Sequence, residues 1–295
     1  MRPLRVALVH RPGASTVDRT YGPWSYPVPE FVVRHFPIDA KYHQRQTLAD
    51  YKDFDVVVHE DGKCYLDWDH SDGGPPLVYV VTDSTLSPAH YNVRHDQSRQ
   101  ADLVLVDWDD PTRFAGARGP AVRVPYCVND RLFYDRGLPR TVDVAFVANI
   151  RGVPGREALH EQLAALCRDR GWTYVAGQRI GEAYALAFAT SRVVIHVERN
   201  AQTRAHRCFD APAAGACLVT DTDPRLLAPD LCPYLHYWPL VGEGPLVQTL
   251  SLLLSTAQWQ DVGLCGQAEV LRRHTWGVRA TELYRLFVET FRLEV

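Results

Sequence analysis

Five runs in the first half of the chain, LRVALVH (4–10), FVVRHFPI (31–38), FDVVVHE (54–60), PLVYVVTD (76–83) and ADLVLVD (101–107), are largely apolar and show little alternation. A strand with one wet face alternates polar and apolar residues. A strand without that alternation is covered on both faces, the condition of a parallel sheet sandwiched by helices. Turn-rich or polar segments separate the runs, with helices expected around 40–52 and 88–100, and AVRVPY (121–126) adds an edge strand. The pattern predicts a doubly wound α/β domain.

The theme stops at NDRLFYDRGLPRT (129–141), a polar stretch with glycine and proline, and then restarts. VDVAFVAN (142–149) reads as a strand, and its loop IRGVPG feeds a helix over 156–171. Leu159, Leu163 and Leu166 share one face of that helix. Strands at 172–177, 191–198 and 216–221 alternate with a short helix in GEAYALAFATS and another in RAHRCFDAPAAG. A last helical pair is expected over 244–273 and 277–293. The fold class is therefore α/β, two Rossmann-like doubly wound parallel-sheet domains, spanning 1–137 and 138–275, with a closing helical segment over 276–295.

Composition narrows the function classes. Hydrophobic residues are 46% and charged residues 23%, the balance of a soluble globular protein, and no apolar run is long enough to span a bilayer. The opening apolar run is too short for a signal peptide and reads as the first strand. Seven scattered cysteines with no CxxC pair argue against a disulfide framework or zinc site and for a reducing, cytoplasmic setting. Net charge is −3 and neither half forms a basic block, so nucleic-acid phosphate is a poor partner. Lysine occurs only at 41, 52 and 63, so the second half is cationic through arginine alone, whose fork suits phosphate oxygens.

In open parallel sheets ligands sit beyond the carboxyl ends of the strands, where helix-start N–H groups point. In the second domain that edge carries Asn149–Arg156, Gly177–Glu182, Glu198–Arg207 and Asp221–Asp223. NIRGVPGR offers two glycines with Arg151 and Arg156 after a strand; it is not GxGxxG, which argues against a dehydrogenase. QTRAHRCFDAPAAG places Thr203, His206 and Arg207 at a helix start with Asp210 one turn in. The dipole and Arg207 suit a diphosphate, and the Asp210 carboxylate suits both hydroxyls of a ribose. The plain alternatives are a turn with solvated arginines and an Asp210 that offsets the dipole beside Arg207. The candidate donor set is Asn149, Arg151, Arg156, Gly177, Gln202, Thr203, His206, Arg207 and Asp210.

Over about residues 142–290 the chain resembles the group-one glycosyltransferases of GT-B architecture, closest to the branch of the spore-maturation protein CgeB. The resemblance rests on VDVAFVAN before an arginine-led helix, on RCFDAPAAGACLVTD, and on RRHTWGVRATELYRLF. Arg207, Phe209, Asp210, Ala211, Ala213 and Gly215 match the family's Arg-x-Phe-Glu-Ala-x-Ala-x-Gly, with Asp210 in place of the glutamate that holds the donor ribose. Gln202 stands where many relatives carry a second glutamate. The resemblance implies two domains facing a cleft, a UDP-sugar donor in the second, an acceptor in the first, and a closing segment 276–295 that crosses back to the first domain. It further implies retention at the anomeric carbon and no required cofactor or metal.

Acceptor candidates are Arg11, Gly13, Ser15 and His95, and His10 and Asp83, each closing an apolar strand, could handle the acceptor proton beside the charge-stabilising Arg207. The acceptor is expected to be a small molecule, glycan or protein, with a DNA acceptor less favoured. Two DWD triplets, Asp67–Asp69 and Asp107–Asp109, echo a metal-holding motif, but a lone DxD is weak and no metal is expected. Other readings are a non-catalytic nucleotide- or sugar-binding protein, favoured by Gln202 and the shorter Asp210, and a nucleotide-sugar epimerase on the same fold.

Overall fold

A computed structural model describes residues 2–10, 28–38, 44–60, 66–81, 95–106, 111–198, 206–224, 227–240 and 245–295. The chain divides into two compact units, Met1–Tyr126 with Trp276–Val295, and Cys127–Thr275.

The first unit is built on β1 (Leu4–His10), β2 (Phe31–Pro37), β4 (Val56–Glu60), β6 (Leu77–Val81), β7 (Leu103–Val106) and β8 (Ala121–Arg123). They lie in the order β2-β1-β4-β6-β7-β8, every neighbouring pair parallel. Successive residues of one strand serve different cores. Leu4, Val6, Leu8, Val56, Val58 and Val78 pack with Leu283, Tyr284 and Phe287 of the last helix, whereas Ala7, Val9, Val57, Tyr79 and Val81 pack with Leu48, Tyr51 and Trp68. Both faces are dry, which is why the runs do not alternate. The last helix, Trp276–Phe291, is anchored by the Tyr284 hydroxyl donating to Arg2 O at 3.0 Å.

The helix expected over 40–52 does not form in its described part. Gln44–Thr47 is strand β3, paired in parallel with β5 (Leu66–Asp69) in a separate two-stranded ladder, and Leu48–Tyr51 is one 3₁₀ turn. QRQT has no apolar stripe for a helix to bury, while Leu48 and Tyr51, three apart, fall on one side of a 3₁₀ turn and are buried. Of the segment 88–100, His95–Ser98 is helical and 88–94 lie outside the described residues.

The second unit contains β9 (Val142–Phe146), α1 (Pro154–Arg170), β10 (Tyr174–Ala176), α2 (Gly181–Ala189), β11 (Ser191–His196), α3 (Arg207–Ala213), β12 (Cys217–Thr220), β13 (Trp238–Pro239), α4 (Pro245–Thr256) and α5 (Gln258–Arg273). Its sheet runs β10-β9-β11-β12-β13, all parallel, so the winding reverses between β9 and β11. The single helix expected over 244–273 is two, because Ala257 takes a left-handed backbone (φ 58°) that ends α4 and starts α5; Trp276–Phe291 is α6. The division between units falls at 126/127, ahead of the expected boundary at 137. Residues after it are held by the second unit: Val128 N donates to His274 O at 2.7 Å, and the Phe133 ring meets Tyr184 at 5.4 Å.

Helix α5 lies against α3 and β12 through glycine. A Cβ at Gly266 would sit 2.4 Å from His236 O, and one at Gly263 would sit 2.7 Å from Gly215 O. Alanine is normally favoured over glycine in a helix interior by about 1 kcal/mol. Here the backbone carbonyl leaves no room, and Gly266→Ala is expected to destabilise the protein by about 1–3 kcal/mol, as overpacked cores do. Thermal unfolding of the purified variant checks the sign.

Candidate functional site

The reversal between β9 and β11 makes a crevice at their carboxyl ends, and the polar residues of the second unit gather there. Leaving β9, the chain turns at Gly152 (φ 72°), whose N–H donates to Glu157 Oε1 at 2.9 Å, and enters α1. Arg156, on the first turn, spans both strand ends, with Nη1 3.4 Å from Asn149 O and Nη2 3.5 Å from Val197 O.

Strand β11 closes on His196, only 1% exposed, with Thr220 of β12 in register beside it. Arg207, the first residue of α3, donates Nε–H to His196 Nδ1 at 3.2 Å. Arginine has no acceptor, so Nδ1 carries no proton. Burial lowers the His196 pKa, keeping the ring neutral with its proton on Nε2, and Nε2 lies 3.0 Å from Glu198 Oε1. That oxygen also accepts from Thr222 Oγ1 at 2.9 Å, which is 2.7 Å from Thr220 Oγ1, and Glu198 N donates to Asp221 Oδ1 at 2.8 Å. Burial raises the Asp221 pKa. His206 is neutral too, its pKa pushed down to about 3 by burial and by the neighbouring Arg207 charge. The guanidinium of Arg207 is thus a permanent positive charge beside two uncharged imidazoles.

Asp210 differs from expectation. It was expected to face a ligand one turn into the helix, but it is 2% exposed, and every residue of α3 after Arg207 is buried. The helix is short and enclosed, so its first turn is also core. Oδ2 accepts from the Tyr184 hydroxyl at 3.2 Å; Oδ1 is buried with no hydrogen-bond partner among the described residues. Burial pushes this carboxyl up to about 8, against the Tyr184 hydrogen bond and the Arg207 charge.

A cleft of about 470 Å³ opens beyond β9 and β10, lined by Asn149, Ile150, Arg151, His160, Gly177 and Gln178. The structure therefore sorts the sequence-predicted donor set into two groups: Asn149, Arg151 and Gly177 around this cleft, and Arg156, His206, Arg207 and Asp210 around the end of β11. Gln202 and Thr203 lie outside the described residues. His196, Tyr184 and His160 were not anticipated, while Thr222 lies within the expected Asp221–Asp223 edge. His196 carried the signal that singled out His10, a polar residue closing an apolar strand. Tyr184 sits in an alanine-rich helix with no such mark.

Among the described residues one group could hold a metal ion, His196, Glu198 and Cys208, whose ligand atoms lie within 4.8 Å of one another. A metal-binding imidazole donates its other N–H outward. Here the other nitrogen accepts from Arg207, the opposite polarity, and a cation already stands against the ring. The group suits a hydrogen-bonded network better than an ion. The first DWD triplet lies on strand β5, with Trp68 buried and Asp69 paired with Arg45, so its carboxylates are not presented on a turn. The second, Asp107–Asp109, lies outside the described residues.

In the first unit the winding reverses between β1 and β4. His10, which closes β1, is buried with Nε2 3.3 Å from His35 Nδ1, and burial together with His10 lowers the His35 pKa. His95 stacks on Phe114 at 6.3 Å. Arg11, Gly13, Ser15 and Asp83 lie outside the described residues.

Residues 145–285 match a family profile described as glycosyl transferase-like. No curated protein sequence matches the chain. Among solved structures, HepE of Anabaena in complex with UDP is similar at a TM-score of 0.65 and 11% identity, over 97% of this chain and 100% of that one. A sucrose-phosphate synthase from Thermosynechococcus elongatus is similar at 0.60 and 12%, over 98% and 99%. A glycosyltransferase from Rickettsia africae ESF-5 is similar at 0.62 and 7%, over the whole of both chains. Among the described residues no helix is long and apolar enough to cross a membrane. With two parallel α/β sheets, as in these similar structures, the chain has the GT-B fold, and its residues 145–285 match the glycosyl transferase-like family.

Proposed function

We propose that this glycosyltransferase moves a sugar from a UDP-sugar held by the second unit to an acceptor hydroxyl, with retention at the anomeric carbon and without a metal. The observation that carries the donor assignment is Arg207, a guanidinium fixed at the sheet's reversal point with Arg156 across the same strand ends. A similar fold is known with UDP-glucose bound, in HepE of Anabaena, and with UDP and GlcNAc, in the pneumococcal O-GlcNAc transferase GtfA. In this reading Arg207 stabilises charge on the departing diphosphate, and Asn149, Arg151 and Gly177 line the approach to it. The ribose falls to Asp210, whose unpartnered Oδ1 is the acceptor a hydroxyl would satisfy, once the groups covering it give way. The acceptor falls to the first unit, with His10 and Asp83 placed to manage its proton and Arg11, Gly13, Ser15 and His95 to contact it. A small molecule, glycan or protein suits that role better than DNA.

The test is UDP release from UDP-glucose and UDP-GlcNAc, with and without a pooled acceptor extract. Release that rises with acceptor is expected. Tight UDP binding with no release would instead make the chain a binding protein, the reading that the enclosed Asp210 favours. Conversion of the sugar with no acceptor present would make it an epimerase.

A further inference from the structure

The charge of Arg207 is useful only if its forked edge faces the diphosphate, and an arginine at a helix start has a long, rotatable side chain. Within its own unit Arg207 stands near Tyr184 of α2 and Asp210 of α3. The hydrogen bond to its Nε comes from the neighbouring strand. His196 sits at the end of β11 with β9 and β12 paired on either side, so its position is set by the sheet ladder. Its Nδ1 takes the Nε–H of Arg207, the one guanidinium donor that can be engaged without using the bidentate Nη edge.

The ring is held from behind. Nε2 lies 3.0 Å from Glu198 Oε1, and Glu198 receives the Thr222 hydroxyl while its own N–H is bound to Asp221. Arg207 donates into His196 Nδ1 and Thr222 donates into Glu198, whose carboxylate stands beside Nε2 as a charge contact. A ring flip would bring a carbon to face Arg207 in place of Nδ1, so the network selects one orientation and one tautomer.

We infer that His196 is a positioning residue for Arg207, fixing the guanidinium from the strand so that its forked edge is presented to the nucleotide diphosphate. This rests on the donor site proposed above. It adds that the grip is preorganised by an imidazole that never touches the ligand.

The experiment is a double-mutant cycle read by UDP titration calorimetry and by kcat and KM for UDP release, on wild type, His196→Leu, His196→Asn, Arg207→Ala and the His196→Leu/Arg207→Ala pair. His196→Leu is expected to weaken UDP binding by about tenfold, the scale of a lost hydrogen bond to a charged group, and to lower kcat. In the Arg207→Ala background the same substitution is expected to change affinity less than about twofold, because its route of action is gone. His196→Asn keeps an acceptor near Nδ1 and is expected to recover most of the loss. An equal loss in both backgrounds, or no recovery with asparagine, overturns the inference while wild-type UDP binding leaves the donor site standing. Wild type without UDP affinity overturns the donor site and this inference together. Should His196→Leu fail to fold, ¹⁵N NMR of the His196 ring in wild type and Arg207→Ala decides. A shift at Nδ1 on losing the arginine is expected, and an unchanged ring overturns the inference.

Discussion

Arg207→Ala is expected to lower kcat/KM for sugar transfer by roughly 30- to 1,000-fold, equivalent to ~2–4 kcal/mol, the range seen when one donor to a developing oxyanion is removed. The loss should fall mainly on kcat, because the leaving diphosphate carries more charge in the transition state than in the bound donor. The side chain is half-buried and outside the apolar core, so the variant should fold, and its unfolding temperature supplies the control. Steady-state kinetics of a folded variant with wild-type kcat would remove Arg207 from the chemistry. Arg207→Lys keeps the charge but loses the fork and the Nε contact, and it should resemble alanine more than wild type.

The second large effect is one of pH. Burial pushes the Asp210 carboxyl up to about 8 in the folded chain, from an ordinary value of 3.8. Below about pH 4 the carboxyl is protonated in both folded and unfolded chains and contributes no pH dependence. Between about pH 4 and 8 the unfolded chain releases the proton and the folded chain keeps it. Stability is therefore lost as pH rises, by up to roughly 1.4 kcal/mol per pH unit, and the loss ends once the folded group ionises. Asparagine cannot ionise. Asp210→Asn should match wild type most closely near pH 4 and gain on it steadily to about pH 8, as thermal unfolding across that range would show. A difference that stays flat with pH would mean that Asp210 is already ionised in the folded protein.

The same substitution tests function. A ribose diol is best held by a carboxylate, so UDP affinity of wild type should rise as pH passes from about 6 to above 8. The asparagine variant should show only the dependence that comes from UDP itself. Stability and affinity then move in opposite directions with pH in the wild type, a pairing that a surface aspartate would not produce.

Much of this architecture was legible because the strands are covered on both faces. Runs such as VVVHE and LVLV have no polar position to spare, and that alone implies a parallel sheet with helices on either side. The strand β3 was not legible, because QRQT lacks the β-branched and aromatic character of the others and is held by pairing with β5, 22 residues away in sequence. The break at Ala257 was equally hidden. Alanine is the best helix former, so nothing in the residue itself marks the left-handed backbone that separates α4 from α5.

For the site, residue types were readable and depth was not. Arg207 after a strand and before a small-residue helix pointed to an anion, and in the structure its side chain lies against His196 at the end of β11. The enclosure of Asp210 depends on how closely α2, α3 and α5 pack, which no spacing within RCFDAPAAG reveals. His196 went unnoticed because a histidine after VVI reads as the end of a strand until a partner for its Nδ1 is seen.

The first unit is discontinuous in sequence, since α6 belongs to it although the whole of Cys127–Thr275 intervenes. During synthesis the ribosome delivers the strands carrying Leu4, Val6, Val56, Val58 and Val78 long before Leu283, Tyr284 and Phe287 emerge to cover them. The intervening unit has its full set of strands earlier, so it can mature while the amino-terminal sheet still exposes a greasy side. That order makes the newborn chain most prone to clumping, and most dependent on chaperone shielding, in the interval before its final helix leaves the exit tunnel.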